Sequence, residues 1–235
     1  IRPSYDEVTT LIGDVLTDQG QFDLAAEAFA EVAATSAWYV TAEVGRADAL
    51  SSADRVDEAI EVLSNLARVK PDNMSVSTAL GDMMRREDNF SGAAEVYDQA
   101  INLSDGATPS DWRLFYVRGI AHERTDQWPK AEADFRRALE LNPDQPHVLN
   151  YLGYSMVELH QNLEEALDMI ERAVAQRPND GYITDSLGWV LYRLGRYEEA
   201  VAPMERAVEL LPVDPILNDH LGDVLWKVGR QNEAV

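Results

Sequence analysis

Apolar residues recur at helical spacing in two sets between Gly181 and Asp214, with polar residues between them. The first set is Ile183, Leu187, Val190, Leu191 and Leu194, and the second is Ala200, Val201, Met204, Ala207 and Val208. This spacing predicts two amphipathic helices, separated by a turn at Gly195 and ended by Pro212. A single pair of such helices leaves apolar surface uncovered, so we expect it to stack on similar pairs.

The same arrangement recurs along the whole chain. Repeats one to seven can be placed with starts at Asp6, Val40, Met74, Trp112, Pro146, Gly181 and Pro215. The starts are 34 or 35 residues apart, except for one interval of 38 residues. Position 8 of each repeat holds a small residue, namely Gly13, Ala47, Gly81, Gly119, Gly153, Gly188 and Gly222. A small residue there allows the two helices of a pair to approach closely.

This pattern resembles the tetratricopeptide repeat, a unit of about 34 residues that forms two antiparallel helices. The resemblance implies an all-α fold, a right-handed superhelical solenoid of about six and a half repeats in a single array over residues 1–235. Residues 1–5 fit as the tail of an upstream repeat, because Pro3 falls at position 32, as Pro212 does in repeat six. We therefore expect the natural array to continue upstream of Ile1.

Two features depart from the regular pattern. Residues 102–111 include four additional residues, and we interpret them as an extended loop between repeats three and four, with Ser110 capping the next helix. The loop either bends the array or is a neutral insertion at the surface. Arg46 and Arg118 occupy position 7, which is usually apolar, and this predicts looser or differently angled packing in the early repeats.

In proteins of this family, side chains at positions 2, 5, 6, 9, 12 and 13 line the inner groove of the array, where partners bind. At these positions repeats five to seven carry Asn150, Tyr151, Tyr154, Tyr182, Asp185, Trp189, Tyr192, Arg193, Asp219, His220, Asp223 and Trp226. Tyrosine and tryptophan provide large contact areas at a low entropic cost, so this group predicts a site for an extended peptide or a helix of a partner protein. The alternative is that several of these side chains pack inward against the next repeat.

The early repeats offer two charged groups. Carboxylates at position 9 form a row of Asp14, Asp48 and Asp82, and a basic group follows it, comprising Arg85, Arg86, Arg113 and Arg124. Arginine is favoured for binding carboxylates, although most rows of charge are solvated faces.

Some family members hold a partner's C-terminal carboxylate with an asparagine at position 9. In this chain, position 9 holds aspartate in repeats one to three, Tyr154 in repeat five and Trp189 in repeat six. We therefore do not expect binding of that type.

Composition and charge exclude several classes of function. The formal net charge of −22 makes the phosphate backbone of nucleic acids a poor partner. The chain has no cysteine, which excludes disulfides and zinc–thiolate sites. Apolar runs are shorter than the ~20 residues of a membrane-spanning helix, so we expect no direct membrane span, while an anchor outside residues 1–235 stays open.

Residues with catalytic or metal-binding potential do not form a recognisable motif. None of the four histidines belongs to a His-x-x-x-His pair. The sequence also lacks a nucleophile elbow, a glycine-rich phosphate loop and a calcium-binding loop. We therefore predict that the protein is not an enzyme and has no metal site and no cofactor.

A narrower resemblance covers the C-terminal half. The segments LNYLGY (149–154), DSLGWVLYRLGRYEEA (185–200) and NDHLGDVLWKVGR (218–230) are similar to the final repeats of long proteobacterial tetratricopeptide repeat proteins. That group includes outer-membrane lipoproteins that act as adaptors for a periplasmic C-terminal processing protease. The resemblance implies a location in the periplasm or at the periplasmic face of the outer membrane, with the cytoplasm as the alternative.

Together these features predict a non-catalytic scaffold or adaptor that binds a partner protein or peptide in its groove. The expected setting is cell-envelope protein assembly or proteolysis. Two alternatives stay open, namely an assembly element that self-associates through exposed helix edges and a binder of small ligands such as peptidoglycan fragments.

Overall fold

Helices dominate the computed structural model, which describes residues 5–104 and 108–234. Over these residues the helices are α1 (Tyr5–Asp18), α2 (Phe22–Ala30), α3 (Tyr39–Ser52), α4 (Val56–Val69), α5 (Met74–Arg86), α6 (Phe90–Ser104), α7 (Trp112–Glu123), α8 (Trp128–Leu141), α9 (Pro146–Glu158), α10 (Leu163–Gln176), α11 (Gly181–Arg193), α12 (Tyr197–Leu210) and α13 (Pro215–Lys227). Odd-numbered helices are the first helices of repeats one to seven, and even-numbered helices are the second. Every first helix begins at the repeat start placed from the sequence or one residue before it.

Contacts divide the chain into two compact units, Ile1–Asp134 (unit 1) and Phe135–Val235 (unit 2). The packing follows one rule in every repeat that lies wholly within one unit. The two helices of the repeat pack against each other, and its second helix packs against the first helix of the next repeat. The prediction of one array over residues 1–235 stays a prediction. Residues 1–4 of the proposed upstream tail lie outside the described residues, and Tyr5 already belongs to α1.

Large side chains inserted between helices build the core of unit 1. Phe29 on α2 is 1% exposed, and its ring faces Gly13 on α1 and Gly45 on α3. A Cβ atom at Gly13 would lie 2.5 Å from a ring carbon, and one at Gly45 would lie 2.7 Å from the ring. Both glycines therefore leave the space that the ring occupies.

Arg118 on α7 is held firmly, although its place at position 7 predicted looser packing. Its guanidinium donates two hydrogen bonds to Asp134 on α8, at 2.8 and 2.5 Å, and one to Asp98 on α6, at 2.5 Å. The side chains of Arg118 and Asp134 are only 18% and 8% exposed. This ionic triad replaces the apolar contacts that position 7 usually makes, and it joins three consecutive helices.

The connection between repeats three and four is shorter than the sequence suggested. Helix α6 continues through Ser104, so residues 102–104 of the predicted loop are helical, while residues 105–107 lie outside the described part. Pro109–Asp111 form a 3-10 turn with a capping box, in which the Thr108 side chain and the Asp111 side chain each bond the other's backbone N–H. The prediction that Ser110 caps the next helix is wrong, because this reciprocal pair satisfies two backbone donors and Ser110 bonds only the Thr108 hydroxyl, at 2.9 Å.

Side-chain caps fix the starts of two first helices in unit 2. Asp180 accepts a hydrogen bond from the backbone N–H of Ile183 at 3.2 Å, where α11 begins. Asp214 accepts from the N–H groups of Ile216 and Leu217, at 2.9 and 3.2 Å, where α13 begins. Such caps satisfy the free N–H groups of a helix start and so fix the residue at which α11 and α13 each begin.

Across residues 5–104 and 108–234, none of the helices is both long enough and apolar enough to cross a membrane.

Candidate functional site

Trp189 is the centre of a side-chain cluster on the first helices of unit 2. Helix α11 contacts α9 on one side and α13 on the other, so side chains from three repeats meet there. The indole of Trp189 stacks on the imidazole of His220 from α13, with ring centroids 4.1 Å apart and planes 12° apart. It also stacks on the ring of Tyr192, with centroids 5.0 Å apart and planes 9° apart. The indole is therefore held in one orientation from two directions.

Glu158, from the C-terminal end of α9, connects this stack to the neighbouring repeat. It accepts a hydrogen bond from Nε1 of Trp189 at 2.7 Å, and the guanidinium of Arg193 lies 3.4 Å away. Arg193 also lies 5.5 Å from the centroid of the Trp189 ring and 2.8 Å from Nδ1 of His160. These contacts use the positive charge of Arg193 and the indole N–H within the cluster, so both groups are preorganised.

A buried acid–base pair lies behind the stack. Asp185 on α11 and His220 on α13 are 4% and 9% exposed, and the carboxylate lies 2.9 Å from Nδ1 of His220. Burial lowers the pKa of His220, but the hydrogen bond and the charge of Asp185 raise it, helped by Asp219 and Glu158, and the net pKa lies above its usual value. The imidazolium form of His220 is thus favoured where α13 packs on α11.

We expect α13 to pack more stably on α11 at pH 6 than at pH 8. Because the pKa of His220 is raised above its unfolded value of about 6.5, its contribution is complete below about pH 6.5 and is lost as the pH rises through the folded pKa. Hydrogen exchange of the α13 amides, corrected for intrinsic rates, should show less protection at pH 8. His220→Gln should remove this pH dependence, while the control His147→Gln, at an exposed position, should keep it.

Tyr154 on α9 completes the cluster. Its side chain is half-buried, and burial, together with the charges of Glu158 and Asp185, raises its pKa to about 12. The hydroxyl therefore stays protonated at neutral pH and is available as a hydrogen-bond donor. We name as the aromatic cluster the set Tyr154, Glu158, Asp185, Trp189, Tyr192, Arg193 and His220.

Other residues chosen from the sequence lie outside this cluster. Tyr182 and Trp226 are 58% and 60% exposed, and the Tyr182 hydroxyl donates to Asp214 at 3.1 Å. Asp219 is exposed on α13. Tyr182 and Trp226 thus present large aromatic surfaces to solvent, on the two helices that also carry Trp189 and His220.

Asn150 and Tyr151 are partly buried on α9. The ring of Tyr151 lies 5.2 Å from that of Phe135, which is fully buried, so Tyr151 contributes to the packing of unit 2. Asn150 is half-buried, and its Oδ1 has no hydrogen-bond partner among the described residues. The alternative raised from the sequence, inward packing against the next repeat, describes Asp185 and Trp189, which contact His220 of α13.

Glu158 and His160 take part in the site, but the sequence interpretation did not select them. Glu158 occupies position 13 of repeat five, the same position as Arg193 in repeat six, so the spacing rule could have identified it. His160 follows the end of α9 with a φ of 54°, and the regular repeat gives no signal for its contact with Arg193.

The charged groups of unit 1 pair with each other. Arg86 lies 3.6 Å from Asp48, and Arg85 lies 3.6 Å from Asp82, which also accepts a hydrogen bond from Tyr97 at 2.7 Å. Burial raises the pKa of Asp48, against the lowering effect of Arg86, and the charge of Asp82 adds to the rise. The row of carboxylates and the basic group therefore form mixed pairs, one between α3 and α5 and one within α5, which leaves less charge for a partner.

The remaining members of the charged groups lie apart. Arg124 lies 3.9 Å from Asp88 and 4.5 Å above the centroid of the Phe90 ring. Arg113 and Asp14 are exposed. Among the residues that the structure describes, no three His, Asp or Glu side chains are grouped so that they could hold a metal ion.

Comparison with known proteins agrees with the helix pairing. Two family models, both of the tetratricopeptide repeat, match the chain. One matches residues 16–82, and the other matches residues 89–146, 116–181 and 160–215. This chain belongs to the tetratricopeptide repeat family. Members of the family generally mediate protein–protein interactions and are generally non-catalytic. The all-α repeat fold expected from the sequence is thereby confirmed.

Individual relatives extend this comparison. The TPR repeat-containing protein PA4667 of Pseudomonas aeruginosa is 30% identical over 158 residues, which cover 67% of this chain and 26% of that protein. This chain thus spans about a quarter of the length of that relative. A solved tetratricopeptide repeat protein from Parabacteroides merdae matches 97% of this chain and 89% of its own chain, with a TM-score of 0.75 at 14% identity. The crystal structure of YrrB, described as a TPR protein with an unusual peptide-binding site, matches 75% of this chain and 88% of its own, with a TM-score of 0.59 at 19% identity.

Proposed function

We propose that unit 2 binds an extended segment of a partner protein across the first helices α9, α11 and α13. The observation that carries this proposal is the aromatic cluster, in which the stacked indole of Trp189 is fixed by contacts from three repeats. A rigid aromatic surface loses little conformational entropy when a partner binds, and aromatic side chains often dominate binding energy. The exposed rings of Tyr182 and Trp226, on the same two helices as Trp189 and His220, add large aromatic surface that a partner segment would cover.

The charges around the cluster favour a partner segment that combines apolar and basic side chains. Arg193 is neutralised by Glu158 within the cluster, whereas Asp219 and Asp223 are exposed on α13 beside Trp226. The net charge of −22 adds a long-range attraction for basic partners. Apolar side chains of the segment would pack on the exposed rings, and its lysines or arginines would meet the carboxylates.

One structural neighbour, YrrB, supports a peptide as the ligand. YrrB shares the fold of this chain and has a peptide-binding site, which is an argument by analogy of fold.

We further infer that the protein acts as a scaffold or adaptor in cell-envelope protein assembly or proteolysis. This narrower inference rests on the similarity of the segments at 149–154, 185–200 and 218–230 to proteobacterial adaptor repeats.

Replacing Tyr182 and Trp226 together with alanine should reduce partner capture by about tenfold or more, because both rings are exposed and their loss removes contact area directly. Tyr154 and Tyr192 are unsuitable for this test, since both pack within the aromatic cluster. The measurement is quantitative mass spectrometry of proteins retained from the source cell by each variant of the full-length protein.

The matched control is the double variant Glu171→Ala and Gln176→Ala, which changes two exposed positions on the second helix α10. It should retain the partners that the unaltered protein retains. Equal capture by the Tyr182 and Trp226 variant, with unchanged circular dichroism, would rule out this surface as the binding site.

A further inference from the structure

Helix α2 in unit 1 ends early, and a cavity lies beside the segment that follows it. Helices α2 and α4 both begin at position 17 of their repeats, but α2 has 9 residues and α4 has 14, so α2 stops five residues sooner. Residues 31–38 connect α2 to α3 without a helix. The cavity has a volume of about 520 Å³, within the range of roughly 300–1,000 Å³ that is typical of small-ligand sites.

The cavity is enclosed by elements that precede and follow it in the chain. Its apolar lining comes from α2, the connection, α3 and α4, and comprises Ala30, Val32, Ala34, Leu50 and Val62. Val32 and Leu50 are 4% and 3% exposed, so they form an apolar floor. The cavity therefore lies between repeats one and two, with helices of unit 1 on both sides of it.

A buried carboxylate lines this cavity. Glu43 on α3 is 8% exposed and occupies position 4 of repeat two. The same position is buried in repeats one, three and six, where it holds the uncharged residues Thr9, Ser77 and Thr184. Nη1 of Arg46 lies 3.5 Å from the Glu43 carboxylate, which is longer than the ~2.7–2.9 Å of a charge-assisted hydrogen bond. The carboxylate thus keeps hydrogen-bonding capacity that a buried charge normally uses.

Repeat four shows the same arginine position with its charge fully paired. Arg118 occupies position 7, as Arg46 does in repeat two, and donates hydrogen bonds to Asp134 at 2.8 and 2.5 Å. The side chain of Arg46 is 35% exposed, against 18% for Arg118. In repeat two the opposite charges therefore stay apart at the wall of an open cavity, where a ligand can reach both of them.

The charge around the cavity favours a cationic ligand. Of the described residues that line it, Glu43, Glu58 and Glu61 are carboxylates and Arg46 is a cation. Glu58 is paired with Arg55 at 2.7 Å, so the excess negative charge comes from the other two carboxylates. The C-terminal end of α2 also borders the cavity, and the last carbonyl groups of a helix attract positive charge.

We propose that this cavity binds an organic cation, namely an ammonium or guanidinium group carried on an apolar chain. The cationic group forms a charge-assisted hydrogen bond with Glu43 and is attracted by Glu61, while the chain packs on the apolar floor of Val32 and Leu50. An arginine side chain of a peptide and a free alkyl guanidine share this chemistry. The site lies in unit 1 and is independent of the binding surface proposed for unit 2.

The test compares matched probes that differ in charge and in source. Acetyl-leucyl-arginine amide represents a peptide, and agmatine represents a free cation. Acetyl-leucyl-citrulline amide is the control, because citrulline has nearly the shape of arginine without its charge. Chemical shift changes of the backbone amides, followed as each probe is added to the 235-residue chain, measure the affinity and locate the site.

The tighter of the two guanidinium probes should bind at least about tenfold more tightly than the citrulline probe, and its affinity should fall as salt is added. The largest shift changes should lie within residues 30–65. Tighter binding of the arginine dipeptide assigns the site to a peptide, and tighter binding of agmatine assigns it to a free cation.

Glu43→Gln should weaken binding of that probe by about tenfold or more, because it removes the buried charge and leaves Arg46 to repel the guanidinium. Glu61→Gln, at an exposed position, should weaken binding by about twofold or more, and it tests the site without altering a buried residue. The control Glu95→Gln makes the same change at an exposed position of α6 and should leave the affinity unchanged.

Three results would overturn the proposal. They are affinities of both guanidinium probes that do not exceed that of the citrulline probe, equal losses in the Glu43→Gln and Glu95→Gln variants, and shift changes confined to residues outside 30–65. Replacing Tyr182 and Trp226 should not change probe affinity, so failure here is separable from failure of the function proposed for unit 2.

Discussion

Unit 1 should lose about 3–5 kcal/mol of its free energy of unfolding when Arg118 is replaced by leucine. The substitution leaves the carboxylate of Asp134, 8% exposed, without the two hydrogen bonds that the guanidinium donates. A buried charge without a partner costs more than the paired charges contribute, so the loss exceeds that of an ordinary surface ion pair. Hydrogen exchange of the amides in α6 and α7 measures the change within the full chain.

A double variant separates the ion pair from simple packing. Arg118→Leu with Asp134→Leu removes both charges and restores apolar contact, so most of the lost stability should return. Asp98→Ala alone should cost less than about 1 kcal/mol, because that carboxylate is 53% exposed. If Arg118→Leu alone changed the free energy of unfolding by less than about 1 kcal/mol, the triad would not be a stabilising element of unit 1.

Phe29→Ala should also destabilise unit 1, by about 3–5 kcal/mol. The ring is 1% exposed and fills the space between Gly13 and Gly45, so its removal leaves a cavity between repeats one and two. Chemical unfolding followed by circular dichroism, together with hydrogen exchange in α1–α3, measures the loss.

Gly13→Ala provides a matched test of the same contact. In the unaltered protein it should destabilise by about 1–3 kcal/mol, because the added Cβ would lie 2.5 Å from the Phe29 ring. In the Phe29→Ala background the same change should stabilise, since alanine favours a helix over glycine by about 1 kcal/mol and partly fills the cavity. A destabilising effect of equal size in both backgrounds would show that the ring is not the reason for glycine at this position.

The regular part of the fold could be predicted from the sequence, because the spacing of apolar and small residues is set by the geometry of helix pairs. This is why α11 begins at Gly181 and α13 at Pro215, as placed from the pattern. The pattern failed where a local hydrogen bond decided the structure. Thr108 and Asp111 form a capping box, and this contact makes Ser110 unnecessary as a cap.

The candidate site was only partly predictable for a related reason. A position in the repeat defines which face of a helix a residue lies on, but neighbours from other repeats decide where its side chain points. Trp189 and Arg193 meet side chains of the neighbouring repeats in one cluster, whereas Tyr151 turns toward Phe135, and their role in binding a partner stays a prediction. The role of Arg118 likewise depends on Asp98 and Asp134 from two other helices, which a single repeat cannot reveal.

Site-specific photo-crosslinking in the source cell tests most directly whether the first helices of unit 2 bind a partner. A benzophenone amino acid placed at Tyr182 or Trp226 samples the proposed surface, and the same group at Glu171 or Gln176 samples the second helix α10. The proposal predicts covalent adducts with one common partner from Tyr182 and Trp226 and none from α10. Adducts from α10 alone, or equal yields from both faces, would contradict it.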